Sequence, residues 1–175
     1  MPDVTTSTPP LIAFAGLPGV GKSTVARAVA RHLGAAYVRI DTVEQALRRC
    51  GTLPAGVVTE GYAVAHDVAA DQLAVGRPVV ADAVNPIGIT RDAWRAVADR
   101  AGARLIDVEV VCSDPAEHRR RVEQRAGDVP GLVLPTWGDV RAREYHGWDR
   151  PRVVLDTAGR DVGVCVAEVL AALAR

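Results

Sequence analysis

Apolar and polar positions along the chain alternate between strand-length apolar runs and longer stretches with helical spacing. Residues 11–15 form an unbroken apolar run, and residues 25–33 place apolar side chains three and four apart. Residues 36–40 alternate weakly and contain β-branched residues, which predicts a second strand ended by Asp41. Residues 42–49 read as a helix, and residues 50–58, with Gly51, Pro54 and Gly56, as a loop. Residues 60–75 form an alanine-rich helix closed by Gly76. Residues 77–82 read as the next strand, its Pro78-Val79-Val80-Ala81 core apolar on both faces as buried parallel strands are, and Asn85-Pro86 breaks the run.

The second half repeats the rhythm. Residues 90–101 fit a helix capped by Thr90 and closed by Gly102, and residues 104–111 fit a strand. Residues 113–126 fit a helix opened by Ser113, Asp114 and Pro115. A Gly- and Pro-rich stretch over 127–135 precedes a short helix over 136–146. Residues 153–155 are the last strand and 162–173 the closing helix. Strands alternating with helices predict an α/β fold of three layers, a five-stranded parallel sheet with helices on both faces and right-handed crossovers. The expected organisation is a tail over 1–10 and one domain over 11–175, with a substrate-binding insertion at about 50–76 and a lid at about 119–137.

Composition narrows the partners. The 175 residues carry 21 Lys+Arg against 21 Asp+Glu, a formal net charge of zero, so there is no general attraction to nucleic acid or to an anionic membrane. Cys50, Cys112 and Cys165 are widely spaced and read as buried small hydrophobes in a reducing compartment. The first ten residues lack the basic start and apolar core of a signal peptide, and no run reaches the roughly 18 apolar residues of a membrane span. The expectation is a cytoplasmic protein with no membrane contact.

Chemistry concentrates at Gly16-Leu17-Pro18-Gly19-Val20-Gly21-Lys22-Ser23-Thr24, which has the spacing G-x-x-x-x-G-K-[ST] between a strand and a helix. In such a loop backbone N–H groups turn toward phosphate oxygens, the lysine reaches the β- and γ-phosphates and the serine hydroxyl ligates Mg²⁺. Lys22 is the sole lysine, so the chain's one compact ammonium stands where the motif needs it.

Ligands of such sheets bind beyond the carboxyl ends of the strands. That position selects Asp41 as a base for an acceptor hydroxyl, against the alternative that Asp41-Thr42-Val43-Glu44 is a capping box. It selects Asp82 as a Mg²⁺-supporting acid, against a turn cap, and Asn85, which a turn before Pro86 would also explain. Arg119, Arg120, Arg121 and Arg125 share one helix. A solvated face would account for them, but a kinase needs at least one arginine on the transferring phosphoryl group. Tyr62 and His66, one turn apart, could line an acceptor pocket, whereas His32, His118 and His146 read as ordinary surface or half-buried histidines. Asp156-Thr157-Ala158-Gly159 imitates the D-x-x-G motif of GTPases. The partner N-K-x-D motif is impossible because the only lysine is already used.

With the glycine loop, Asp41, Val79-Val80-Ala81-Asp82, the arginine-bearing helix and Asp156-Thr157-Ala158 in this order, the chain resembles a broad P-loop kinase family. That family groups chloramphenicol phosphotransferases, zeta-toxin-like kinases and polynucleotide 5′-hydroxyl kinases. The resemblance implies a nucleoside-kinase-like P-loop NTPase fold and ATP- and Mg²⁺-dependent transfer to a hydroxyl. It also implies Asp41 as general base, Ser23 and Asp82 at the metal, and Arg121 and Arg125 as lid arginines with Arg119 beside the nucleotide. Thr157, Ala158 and Gly159 would lie against the adenine. Pro135-Thr136-Trp137 and Tyr145 to Trp148 are similar to a segment of uncharacterised kinases of this group. The polynucleotide kinases carry an arginine where this chain has Glu44, which with zero net charge argues against a nucleic-acid acceptor. Three readings stand at this point: a small-molecule O-phosphotransferase, which is the leading one, a nucleotide or polynucleotide kinase, and a non-catalytic ATP-binding regulatory module.

Overall fold

The computed structural model describes residues 8–51 and 59–175. Five strands, β1 (Leu11–Ala15), β2 (Ala36–Arg39), β3 (Val79–Asp82), β4 (Leu105–Val111) and β5 (Val153–Asp156), form one all-parallel sheet in the order β2-β3-β1-β4-β5. Alternation along each strand sends side chains to opposite faces. Ile12, Phe14, Val80, Val108 and Leu155 pack with Val25, Val29, Cys165 and Val169 of α1 (Lys22–Leu33) and α7 (Val162–Leu173). Leu11, Ala13, Val79 and Ala81 pack with Ala65, Ala69, Leu73, Trp94 and Val97 of α3 (Thr59–Ala74) and α4 (Gly88–Arg100). Small residues at positions 61, 65 and 69 form the buried stripe of α3 and let it lie close against the sheet. This is the three-layer α/β arrangement of P-loop proteins.

The register aligns Phe14 of β1 with Asp82 of β3, and Asp82 with Arg39 of β2. The carboxyl ends of the three strands therefore deliver the glycine loop, Asp82 and the start of α2 (Ile40–Arg49) to one edge. From the other side come α5 (Pro115–Gln124) and α6 (Trp137–Ala142).

Several local expectations are corrected. Helix α2 begins at Ile40 with Arg39 at the N-cap and no side-chain cap bond, so Asp41 sits inside the first turn and forms no capping box. Helix α4 begins at Gly88, and the Thr90 hydroxyl donates back to the Ile87 carbonyl at 2.8 Å instead of capping. Helix α5 is capped as expected, by Asp114 accepting from the Ala116 and Glu117 amides. Helix α6 stops at Ala142, short of the expected 146: the His146 N–H, which a continued helix would give to the Ala142 carbonyl, donates instead to the Pro86 carbonyl at 2.8 Å, and Arg91 holds the carbonyls of His146 and Gly147. Of the three cysteines, all free, only Cys165 is buried, and Cys50 is exposed. The expected loop at 50–58 falls largely on residues 52–58, outside the described ones.

Candidate active site

The turn after β1 closes tightly because of its glycines. Gly16 has φ 143° and a Cβ there would lie 2.4 Å from the Val110 carbonyl oxygen, while Gly19 has φ 87° and a Cβ would meet Val122 Cγ2 at 2.3 Å. Both contacts are closer than any side chain tolerates, so the loop conformation depends on their absence. Behind the loop, Lys22 Nζ donates to Asp82 Oδ1 at 2.6 Å, and the Tyr37 hydroxyl donates to Asp82 Oδ2 at 2.5 Å. Burial alone would push the Asp82 carboxyl up. The Lys22 charge and the bonds from Lys22, Tyr37 and Ser23 outweigh burial and hold it below its ordinary value. The Tyr37 phenol is pushed up by its own burial and by the neighbouring Asp82 charge.

Two ties from α5 and β5 lock this loop in place. His118 is buried and its Nε2 lies 2.9 Å from the Pro18 carbonyl, so that nitrogen carries the proton, since a carbonyl can only accept. The His118 ring meets Trp137 edge to face at 5.0 Å. This histidine, expected as an ordinary one, is instead a clamp on the loop. The Thr157 hydroxyl donates to the Val20 carbonyl at 2.7 Å and accepts from Arg121 Nη1 at 2.8 Å. Arg121 also donates to the Thr157 carbonyl and to Glu117, whose second oxygen accepts from the Gly159 amide at 3.0 Å.

These elements enclose a cavity of about 1300 Å³. Leu17, Pro18, Gly19, Gly21, Lys22, Ser23 and Thr24 line it, together with Arg121, Arg125 and Thr157 and with Asp41, Tyr62 and His66. Arg119 and Arg120 do not line it: Arg119 points to solvent and pairs with Glu123 at 2.8 Å. Ala158 and Gly159 stand behind Thr157, their amides taken by Asp156 and Glu117. Asn85 is withdrawn as well. It is 1% exposed with φ 45°, its Nδ2 donating to the Phe14 carbonyl at 2.9 Å and its Oδ1 accepting from Trp94 Nε1 at 3.2 Å, so the expected substrate contact is a structural pin.

Asp41 keeps its carboxylate on the cavity, the side chain 38% exposed, tethered by Arg39 at 3.3 Å. Glu44, one turn on, is pushed up by burial and by the Asp41 charge. His66 is pushed down by burial and by Arg100, and its ring meets Trp94 edge to face at 4.4 Å. The Tyr62 phenol is pushed up, chiefly by burial.

Three residues at this junction were not anticipated. Asp128 accepts from Arg27 at 2.6 Å and from Arg39 at 2.8 Å, and Arg39 lies 3.9 Å from Asp82. Burial raises the Asp128 carboxyl, but hydrogen bonds from Arg39 and Arg27 bring it below its ordinary value. The segment after α5 is thus fastened to α1 and β2. Asp128 is the only acid between 126 and 135, the one trace of this role in the sequence. Among the described residues no group of three or more His, Cys, Asp or Glu side chains could hold a metal by itself, and no helix is long and apolar enough to cross a membrane.

Comparison with known proteins places this geometry. A family model described as AAA domain matches residues 11–143. The uncharacterized protein Rv2004c of Mycobacterium tuberculosis is 33% identical over 162 residues, covering 85% of this chain and 32% of that protein. The chain thus spans about a third of the length of the curated relatives it matches. Among solved structures, the Mycobacterium tuberculosis APS kinase CysC in complex with AMPPNP and APS superimposes with TM-score 0.72 at 24% identity, covering 96% of this chain and 99% of that one. A gluconokinase from Sinorhizobium meliloti 1021 gives TM-score 0.66 at 22% identity, covering 96% and 93%. These two likenesses establish the fold. With its glycine loop, parallel sheet and matched span, the chain belongs to the AAA domain family of P-loop proteins, within the group whose fold the P-loop kinases share.

Proposed function

We propose that the chain is an ATP-dependent phosphotransferase that moves the γ-phosphoryl group to a hydroxyl of a small molecule, with Asp41 as general base. The observation that carries this reading is the shared cavity: a carboxylate not spent on capping its own helix lies on the same space as the phosphate loop. Both solved neighbours named above are kinases by their descriptions, which supports the reaction type. Zero net charge and Glu44 support a small acceptor over a polynucleotide.

In this reading the loop amides and Lys22 hold the triphosphate, and Arg121 and Arg125 offset charge on the transferring group. The acceptor oxygen bonds to the γ-phosphorus as the bond to the β-phosphate oxygen breaks, ADP leaves, and the acceptor proton passes to Asp41. The donor set suits Mg²⁺, which keeps most of its waters and takes few protein ligands. Ser23 would hold it and Asp82, with both oxygens already engaged by Lys22 and Tyr37, would support it through water. When bound, the ion neutralises phosphate charge. Three free thiols suit a reducing, cytoplasmic setting.

The test is Asp41→Asn. Calorimetry with AMPPNP and magnesium gives wild-type affinity, while labelled product from a metabolite extract and radiolabelled ATP falls by about 10²–10⁴-fold. Product formed at the wild-type rate removes Asp41 from the mechanism, and no heat with AMPPNP in the wild-type chain removes the nucleotide.

A further inference from the structure

We propose that Tyr37 is a positioning residue for the divalent cation: it fixes Asp82 as a support that acts through water and so favours Mg²⁺ over Ca²⁺. The inference rests on the phosphotransferase reading. Tyr37 lies outside the lining of the cavity, and Asp82 stands behind Lys22 and Ser23, its side chain 0% exposed. Strand β2 carries Tyr37 opposite Val80 of β3, and the phenol reaches along the strand pair to Asp82 Oδ2 at 2.5 Å. The direction of that bond is fixed. Arg27 of α1 also bonds the Tyr37 oxygen, and a guanidinium only donates while an ionised carboxylate only accepts, so the single phenol proton goes to Asp82. Arg27 is itself held by Asp128 at 2.6 Å.

The two donors on Asp82 differ in whether they can leave. Lys22 lines the cavity, and in the phosphotransferase reading it turns to the phosphates, releasing Oδ1 to accept from a water of the cation. Tyr37 stays off the cavity, so Oδ2 stays covered. A carboxylate covered from behind presents one acceptor, which suits Mg²⁺, an ion that sheds its waters reluctantly. Ca²⁺ takes carboxylates directly, through one oxygen or both. Removing the phenol oxygen leaves a buried carboxylate oxygen unpaired, a cost that direct ligation of a cation beside Ser23 relieves. Arg39 is a nearby substitute donor, with Nε 3.9 Å from Oδ2, but its other nitrogens are held by Asp128 at 2.8 Å and Asp41 at 3.3 Å.

The experiment measures AMPPNP affinity of the full chain by calorimetry in saturating Mg²⁺ and in saturating Ca²⁺. In Tyr37→Phe, checked for folding by circular dichroism, the ratio of the Ca²⁺ to the Mg²⁺ affinity rises by about tenfold, the lower end of what supporting residues at metal sites are worth. Adding Asp82→Asn to the Tyr37→Phe chain abolishes the rise, because the shift acts through that carboxylate. Asp82→Asn alone, an arm that does not need the phenol variant to fold, lowers both affinities and leaves their ratio unchanged, as a residue acting through water should. Affinities of Tyr37→Phe that fall together with the ratio unmoved make Tyr37 a core residue only and overturn the inference. A ratio that shifts in Asp82→Asn alone, or that stays raised in the double variant, overturns it as well. Failure of the wild-type chain to bind AMPPNP in either solution defeats the phosphotransferase reading instead.

Discussion

Arg91 is 2% exposed, and its guanidinium is spent entirely on backbone. It donates to the Asn85 carbonyl at 2.9 Å, Pro86 at 3.1 Å, His146 at 2.8 Å and Gly147 at 2.9 Å, and it lies 4.1 Å from the Trp148 ring centroid and 5.1 Å from that of Tyr145. Charge-assisted bonds are worth about 1.5–3 kcal/mol each, and a desolvated cation over an aromatic ring about 2 kcal/mol. Keeping the guanidinium dry costs several kcal/mol, so the net loss on replacing it by leucine should be about 3–5 kcal/mol, as for other broken buried charge networks. For a chain of this size each kcal/mol moves the thermal midpoint by roughly 2–4 °C, which predicts a drop of about 6–20 °C for Arg91→Leu. Arg91→Lys should recover little, because one ammonium cannot span four carbonyls in a planar fork. Urea unfolding followed by circular dichroism and tryptophan fluorescence measures the difference. A midpoint for Arg91→Leu within about 1 kcal/mol of wild type would refute the reasoning, since the strap over 143–148 and the turn at Asn85-Pro86 would then be held by something else.

Three further outcomes follow from the same geometry. Gly19→Ala, at φ 87° and with its new methyl against Val122, should distort the loop and weaken AMPPNP by tenfold or more; calorimetry reading wild-type affinity would show the loop to be forgiving. Glu44 has its folded pKa raised, so its stabilising contribution is complete below the ordinary value of 4.5 and lost as pH rises through the folded value. Glu44→Gln should therefore be more stable than wild type at pH 7, the gap closing in thermal melts run toward pH 4.5, and a constant gap would contradict the assignment. Asp128→Asn removes a carboxylate shared by two arginines at a half-exposed position, worth about 1 kcal/mol after screening. Amide exchange over 126–135 should then quicken by roughly fivefold in opening equilibrium, and unchanged exchange would mean the segment is held elsewhere.

The architecture was legible because its signals are local. Period, glycine and proline placement mark every strand and helix, and the chain order of β1, the loop and α1 identifies the nucleotide end. What escaped the sequence depends on partners far along the chain. Helix α4 starts at Gly88 because the turn at Asn85 is pinned to Phe14 and Trp94, and α6 stops at Ala142 because the His146 N–H goes to the distant Pro86 carbonyl. Arg121 and Arg125 reach the cleft while Arg119 does not, a matter of helix rotation fixed by His118 gripping Pro18. Arg39 and Asp128, 89 positions apart, meet only once the sheet is assembled. Asp41 shows the limit in the other direction: a residue that could have been a cap is left off the helix end by a start two residues earlier.

A chain with one lysine, itself 8% exposed, also carries its own reporter. Endoproteinase Lys-C has a single point of attack, between Lys22 and Ser23, inside the first turn of a packed helix. Cleavage there requires that turn to come apart, so two fragments on a gel, timed against temperature, read the opening of the phosphate loop without any label. Amine-acylating reagents have one internal target as well, and a nucleotide that shields it announces its own residence by mass.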